Sequence, residues 1–203
     1  MLISNDFEVA QPLDKVWEFF DDVPGVAACL PGAELGEDLG DDTYAGGVGI
    51  RMGPVRLQFA GKAHVVSRDD AAKKMVIEAS GSDLKGRGNA EMTVTATLVA
   101  SGSGTKVSVA QDLQISGAAA QYGRGMISDV TAVLMKQFAT NMQQRIDAVE
   151  RGESVDALDK STANASGLAI GLSALRMALM RVVRRFFLPY QPPAPRTASR
   201  GGA

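Results

Sequence analysis

The first part of the chain shows two successive patterns of apolar and polar positions. In residues 2–10 apolar residues alternate with polar ones, and Ile3, Phe7 and Val9 share one face, which predicts a half-buried strand. Pro12 then opens a short helical pattern, and a further turn of helix is expected between two Pro-Gly pairs. The chain is therefore predicted to begin with one strand and short helices.

Alternation returns in residues 33–115, where short turn sequences separate the apolar runs. This spacing predicts about six strands in an antiparallel meander. After Gly117 the period lengthens to 3.6 and predicts an amphipathic helix of roughly eight turns, with a bend or a late start at its glycines. A single sheet has one apolar face to cover, and one long helix can cover it. The order of the predicted elements therefore indicates an α+β domain over residues 1–150, in which a curved antiparallel sheet wraps around the long helix.

Four short motifs of this region carry a resemblance to a known family. They are F-x-V-x-x-PLDKVWEFF-x-D, C-x-PG, GDD-x-Y-x-G, and GPV followed by glycine after five intervening residues. In this order they resemble the carbon monoxide dehydrogenase G-subunit family of the START-like (SRPBCC) helix-grip superfamily. The resemblance implies a helix-grip fold and an accessory protein of a molybdenum-containing carbon monoxide dehydrogenase or a related molybdenum hydroxylase. It also implies a role in membrane recruitment, and superfamily members commonly hold lipids or other apolar ligands beneath the long helix.

Candidate residues for catalysis or metal binding are few. Cys29 and His64 are the only residues of their types, and no Cys-x-x-Cys or His-x-x-x-His spacing occurs. Cys29 is expected to be buried and His64 to lie on the polar face of its strand. The adjacent acid pairs lie in turns, where their side chains diverge into water. We therefore expect no enzyme, no metal and no covalent cofactor.

The inward positions of the predicted sheet carry many small residues. Only 11 of 203 residues are aromatic, so the space between sheet and helix is expected to be under-filled and to form a pocket for an elongated apolar ligand. The alternative is that the same side chains simply fill a core. Glycines between positions 46 and 53 fit either a bend of the sheet or room for a ligand. The residues expected to line the pocket are Met52, Leu57, Phe59, Met92, Val94, Ala96, Leu98, Met126, Val130, Leu134 and Phe138.

Beyond the domain the charge changes sign. Residues 1–150 carry 13 Lys and Arg against 20 Asp and Glu, a net −7, whereas residues 151–203 carry 8 against 3, a net +5. Residues 151–166 read as a flexible linker, residues 167–188 as a helix and residues 189–203 as a disordered tail.

The predicted helix of the tail has an apolar arc with arginines opposite. Four arginines within ten positions, each costing about 2.5–3.5 kcal/mol at a helix centre, argue against a membrane span. A helix lying on an anionic membrane surface fits both faces. Docking in a groove of a partner protein remains an alternative, and nucleic acid is disfavoured because the apolar arc would stay exposed. The expected membrane-binding residues are Leu168, Leu172, Leu175, Arg176, Leu179, Arg181, Val182, Val183, Arg184, Arg185, Phe186 and Phe187.

These observations predict a cytoplasmic protein held on the inner face of the cell membrane. The N-terminal sequence lacks the features of a signal peptide, and a single cysteine permits no intrachain disulfide. With the resemblance, the expected ligand is respiratory quinone, either menaquinone or ubiquinone, carried between membrane and dehydrogenase. The alternative is an adaptor that recruits the dehydrogenase to the membrane without a cargo.

Overall fold

A computed structural model describes residues 1–52 and 55–153. The predicted linker, surface helix and tail lie outside the described residues, apart from the first three residues of the linker. The elements are β1 (Leu2–Val9), α1 (Leu13–Phe19), α2 (Val23–Cys29), β2 (Ala33–Gly40), β3 (Thr43–Met52), β4 (Val55–Asp69), β5 (Lys74–Asp83), β6 (Asn89–Ser101), β7 (Gly104–Ile115), a 3-10 helix (Gly117–Tyr122) and α3 (Gly123–Glu150).

The seven strands form one antiparallel sheet in the order β1-β7-β6-β5-β4-β3-β2. Strands β2 to β7 follow one another as hairpins, and α1 and α2 connect the two edge strands. The long helix α3 packs against β1 and α2. The predicted α+β helix-grip fold is confirmed.

The helix boundaries follow local sequence signals. The side chain of Asp22 caps α2 by accepting a hydrogen bond from the backbone N–H of Gly25 at 3.0 Å, and Pro24 lies in the first turn of this helix rather than before it. Helix α3 begins only at Gly123, which has a φ of +74° and follows the 3-10 helix, so the predicted late start is observed. It ends at Glu150, where the domain boundary was predicted.

Two glycine positions show how closely the strands approach one another. A Cβ atom on Gly61 would lie 1.9 Å from the carbonyl oxygen of Ser80 on β5, so no side chain fits there. A Cβ atom on Gly47 would lie 2.8 Å from the carbonyl oxygen of Phe59 on β4. At Gly47 the glycine therefore serves the bend and packing of the sheet rather than ligand space.

The buried apolar residues form two clusters along α3. The first, at the α1 and α2 end, consists of Val9, Val16, Trp17, Phe20, Cys29, Met75, Ala96, Leu98, Val107, Val109, Phe138, Met142 and Ile146. The second, beside the start of α3, consists of Leu57, Phe59, Ala119, Val130, Val133 and Leu134. Cys29 is fully buried as predicted, and burial raises the pKa of its thiol to about 12, so this thiol is no nucleophile at neutral pH.

A buried carboxylate ties the β5–β6 turn to the sheet. The side chain of Asp83 is fully buried and accepts hydrogen bonds from Nε and Nη2 of Arg87, each at 2.7 Å. It also accepts backbone N–H bonds from Gln58, Lys85 and Arg87. The Arg87 guanidinium holds the pKa of this carboxyl well below its usual range.

Replacing Asp83 with asparagine is expected to destabilise the fold at neutral pH, because Arg87 loses its charged partner. A depressed pKa contributes stability above the unfolded value of about 3.9, and this contribution is lost as the pH falls below it. The difference in free energy of unfolding between wild type and Asp83→Asn should therefore narrow from pH 7 to pH 3 in urea titrations. The exposed Glu91→Gln serves as control, and a difference that stays constant with pH would contradict the account.

Candidate functional site

Small residues occupy the middle of the sheet face that looks toward α3. Because residues alternate along a strand, Gly61 and Ala63 share the face of the buried Phe59. The register pairs Gly61 with Gly81 and Ala63 with Ala79 on β5. We call the region formed by Gly61, Ala63, Ala79 and Gly81 the concave centre.

Apolar residues around the concave centre are only partly covered. Val48 and Ile77 on its flanks, and Met92 and Val94 on β6, keep intermediate exposure although they point inward. Helix α3 packs against β1 and α2, and residues near its start pack against Leu57 and Phe59 of β4. An apolar ligand on the concave side would cover this remaining surface.

The predicted pocket residues divide into four groups, of which the fourth is Met126 alone. Seven are buried in the two clusters, and these are Leu57, Phe59, Ala96, Leu98, Val130, Leu134 and Phe138. Met92 and Val94 border the concave centre, and the side chain of Met52 is outside the described part of the chain.

Met126 differs from the other helix residues of this prediction. Its side chain is 41% exposed, and it belongs to neither cluster. On the helix it shares a face with Val130 and Val133, which are buried. Its exposure therefore follows from its place in the first turn of α3, which begins at Gly123.

Buried polar residues lie on the same inner face, and they are not among the predicted site residues. Gln111 is 5% exposed, and among the described residues its Nε2 donates to the sulfur of Met135 alone, a weak acceptor at 3.7 Å. Nδ2 of Asn5 and Oε1 of Gln137 are buried without a hydrogen-bond partner among the described residues. Each unsatisfied group costs about 1–3 kcal/mol, so a polar group of a ligand or a water molecule would stabilise it.

One of these groups, Gln111, borders the apolar flank of the concave centre, and another, Asn5, lines a groove at the edge of the sheet. Gln111 pairs with Val94 across β6 and with Ile3 across β1, so it lies beside the partly covered apolar residues. A groove of about 890 Å³ runs between β1 and α3 and is lined in part by Asn5 and Met135. The inner face therefore offers an apolar region with a polar group beside it, and a separate groove opens along β1 and α3.

Within the described ranges no group of three or more His, Cys, Asp or Glu residues is placed to hold a metal ion. His64 is exposed on the outer face as predicted, opposite Glu78 on β5. The described helices include none whose length and hydropathy suit a membrane crossing.

Comparison with solved structures relates the fold to others. A conserved protein from Geobacillus kaustophilus matches with a TM-score of 0.65 at 19% identity, over 72% of this chain and 95% of that chain. The Zhui aromatase/cyclase from Streptomyces sp. R1128 matches with a TM-score of 0.54 at 15% identity, over 73% and 94%. A Thermus thermophilus protein matches with a TM-score of 0.54 at 13% identity, over 73% and 99%. These likenesses show a shared fold and no more.

Comparison of sequences identifies the family. A search of curated protein sequences finds no significant match. The family model for CoxG, the G subunit of carbon monoxide dehydrogenase, matches residues 6–147, which span the sheet and nearly all of α3. The chain therefore belongs to the CoxG family, whose name associates it with carbon monoxide dehydrogenase.

Proposed function

We propose that this protein carries an elongated apolar molecule between the membrane and carbon monoxide dehydrogenase, and that the cargo is respiratory quinone, menaquinone or ubiquinone. The observation that carries the proposal is the partly covered apolar concave centre with the buried, weakly bonded amide of Gln111 beside it. The protein acts as a carrier and not as an enzyme.

The chemistry of a quinone fits these polar groups. Its ring and tail are apolar, and its two carbonyl oxygens accept hydrogen bonds. Asn5 and Gln111 lie on adjacent strands and face the same side, with Cα atoms about 7–8 Å apart as diagonal neighbours. Their amide N–H groups can donate to a quinone carbonyl.

The physical need for a carrier follows from solubility. A dehydrogenase in the aqueous phase must pass electrons to the respiratory chain, and a quinone cannot cross water unaided. The predicted surface helix of residues 167–188 would hold the domain at the inner face of the cell membrane, and the linker would let it reach the enzyme.

Replacing Gln111 with leucine tests the polar contact. The variant should bind quinone about 5–10-fold more weakly, because it loses a hydrogen bond of about 1 kcal/mol. Its stability should stay within about 1 kcal/mol of wild type, since leucine buries a similar volume without an unsatisfied amide. Fluorescence titration with quinone measures the affinity of Gln111→Leu and of wild type. The exposed Gln114→Leu, on the outer face of β7, is the control. Equal affinity of Gln111→Leu and wild type would remove Gln111 from the site.

A transfer assay tests the carrier function. Donor vesicles of anionic phospholipid contain menaquinone or ubiquinone, and dense acceptor vesicles contain none. The full chain should raise the rate at which quinone appears in the sedimented acceptors. A rate equal to that without protein would contradict the proposal.

The second candidate is an adaptor that brings the dehydrogenase to the membrane without a cargo. It is favoured by one finding, the packing of seven predicted pocket residues into the core. An adaptor would recruit purified dehydrogenase to vesicles and leave the rate of quinone transfer unchanged.

A further inference from the structure

Basic residues from distant parts of the sequence meet at one end of the domain. The antiparallel topology brings together the end of β3, the start of β4, the β5–β6 turn and the start of α3. We call residues 51, 56, 83–89 and 117–126 the basic end. They contain five basic residues and one acid, a net +4, and these are Arg51, Arg56, Lys85, Arg87, Arg124 and Asp83.

The one acid of the basic end does not offset the outward charge. Asp83 is buried and bound by Arg87, so this pair is internally neutralised. Arg51, Arg56, Lys85 and Arg124 all have exposed side chains. Four cations therefore face solvent around this end.

Large apolar side chains are exposed among these cations. Leu84 is 66% exposed and precedes Lys85 in the β5–β6 turn, and Met126 is 41% exposed two residues after Arg124. An exposed leucine and methionine flanked by arginine and lysine form the combination that enters the interface of an anionic bilayer.

The opposite end of the domain carries the opposite charge. It is formed by residues 14–22, 37–42, 68–74 and 147–153, which contain 13 acids and 5 bases, a net −8. Contacts between these segments include Lys15 with Glu150, Arg68 with Asp21 and Lys73 with Asp14. An anionic surface therefore attracts one end of the domain and repels the other.

We infer that the basic end is a second lipid-binding surface, which docks the folded domain on an anionic bilayer with α1 and α2 pointing away. This surface is separate from the predicted helix of residues 167–188, and it requires no cargo. Leu84 and Met126 enter the lipid interface, and Arg51, Arg56, Lys85 and Arg124 contact the headgroups. The orientation places the second apolar cluster and the start of α3 next to the membrane.

Site-specific fluorescence on the full chain tests this inference. An environment-sensitive label at Leu84→Cys reports on the basic end, and the same label at Val99→Cys, 50% exposed near the far end of β6, is the matched control. The native Cys29 is fully buried and stays unlabelled under native conditions. With vesicles of phosphatidylcholine and phosphatidylglycerol, the emission at position 84 should shift to the blue, and the emission at position 99 should not.

Charge reversal distinguishes docking of the basic end from attachment of the chain through the predicted helix of residues 167–188 alone. Lys85→Glu with Arg124→Glu should abolish the blue shift at position 84, whereas the double control Lys62→Glu with Lys74→Glu, both exposed and outside the basic end, should keep it. Circular dichroism checks that all variants remain folded.

Two results would overturn the inference. One is an unshifted label at position 84, or equal shifts at positions 84 and 99, on vesicles that sediment with the protein. The other is a shift with purified dehydrogenase and none with lipid, which would assign the basic end to an acidic protein partner. The vesicles contain no quinone, so failure of the carrier proposal would leave these outcomes unchanged.

Discussion

Replacing Ala79 with tryptophan is expected to empty the protein of its ligand while leaving the fold intact. Ala79 faces Ala63 on β4 and Met92 on β6 across the concave centre, and its side chain is partly exposed. An indole at this position would occupy the space that we assign to the ligand, without displacing a packed core residue. Ligand occupancy should fall by more than about tenfold, a difference of about 1.4 kcal/mol.

The neighbouring residue supplies the control for this substitution. Ser80 lies on the outer face of the same strand and is exposed, so Ser80→Trp should leave occupancy unchanged. Organic extraction of both purified variants, with circular dichroism of each, gives the comparison. Retention of ligand by Ala79→Trp, or equal loss from both variants, would place the ligand elsewhere.

Deleting residues 167–203 is expected to weaken binding to anionic vesicles by more than about tenfold. The deletion removes six arginines and the predicted apolar arc, and the four arginines of the predicted helix are each worth about 1 kcal/mol near such a surface. Contacts of the basic end would remain, so a weaker, salt-sensitive association should persist. Vesicle sedimentation at two salt concentrations measures both contributions.

Two double variants of the full chain test which face of the predicted tail helix binds the membrane. Leu172→Ser with Leu179→Ser should lose membrane affinity on neutral and anionic vesicles alike, because the apolar arc is broken. Arg181→Gln with Arg184→Gln should lose it on anionic vesicles only. Undiminished binding after the deletion would instead favour the groove of a partner protein as the site of the tail.

The order of elements could be read from the sequence because two periods dominate it. Alternation of Ile3, Phe7 and Val9 with polar residues matches β1, and the region of residues 33–115 contains β2 to β7. The 3.6 period ends where α3 ends, at Glu150. Periodicity is most informative when a sheet buries one face and a helix buries one stripe, as they do here.

The candidate site was less predictable because it depends on how α3 sits on the sheet. Sequence spacing cannot distinguish an inward residue that packs, such as Leu98, from one that stays partly uncovered, such as Met92. Asn5 and Gln111 interrupt the apolar alternation of β1 and β7, which is a signal that the sequence does contain. Their lack of good partners follows only from the packing of three elements around them.

The basic end shows a further limit of sequence reading. Arg51, Lys85 and Arg124 are separated by more than thirty residues each, so no local run of charge marks them. Only the antiparallel order of the strands places their turns at one end. The net charge of the whole domain, −7, hides this patch completely.

Native mass spectrometry of the full chain tests the central claim most directly. The protein is purified gently, without detergent, from a host whose membrane contains menaquinone or ubiquinone. The account predicts a population heavier than the bare chain by the mass of one quinone, which is released on collisional activation. A single population at the mass of the bare chain, from a preparation whose membrane fraction does contain quinone, would contradict it.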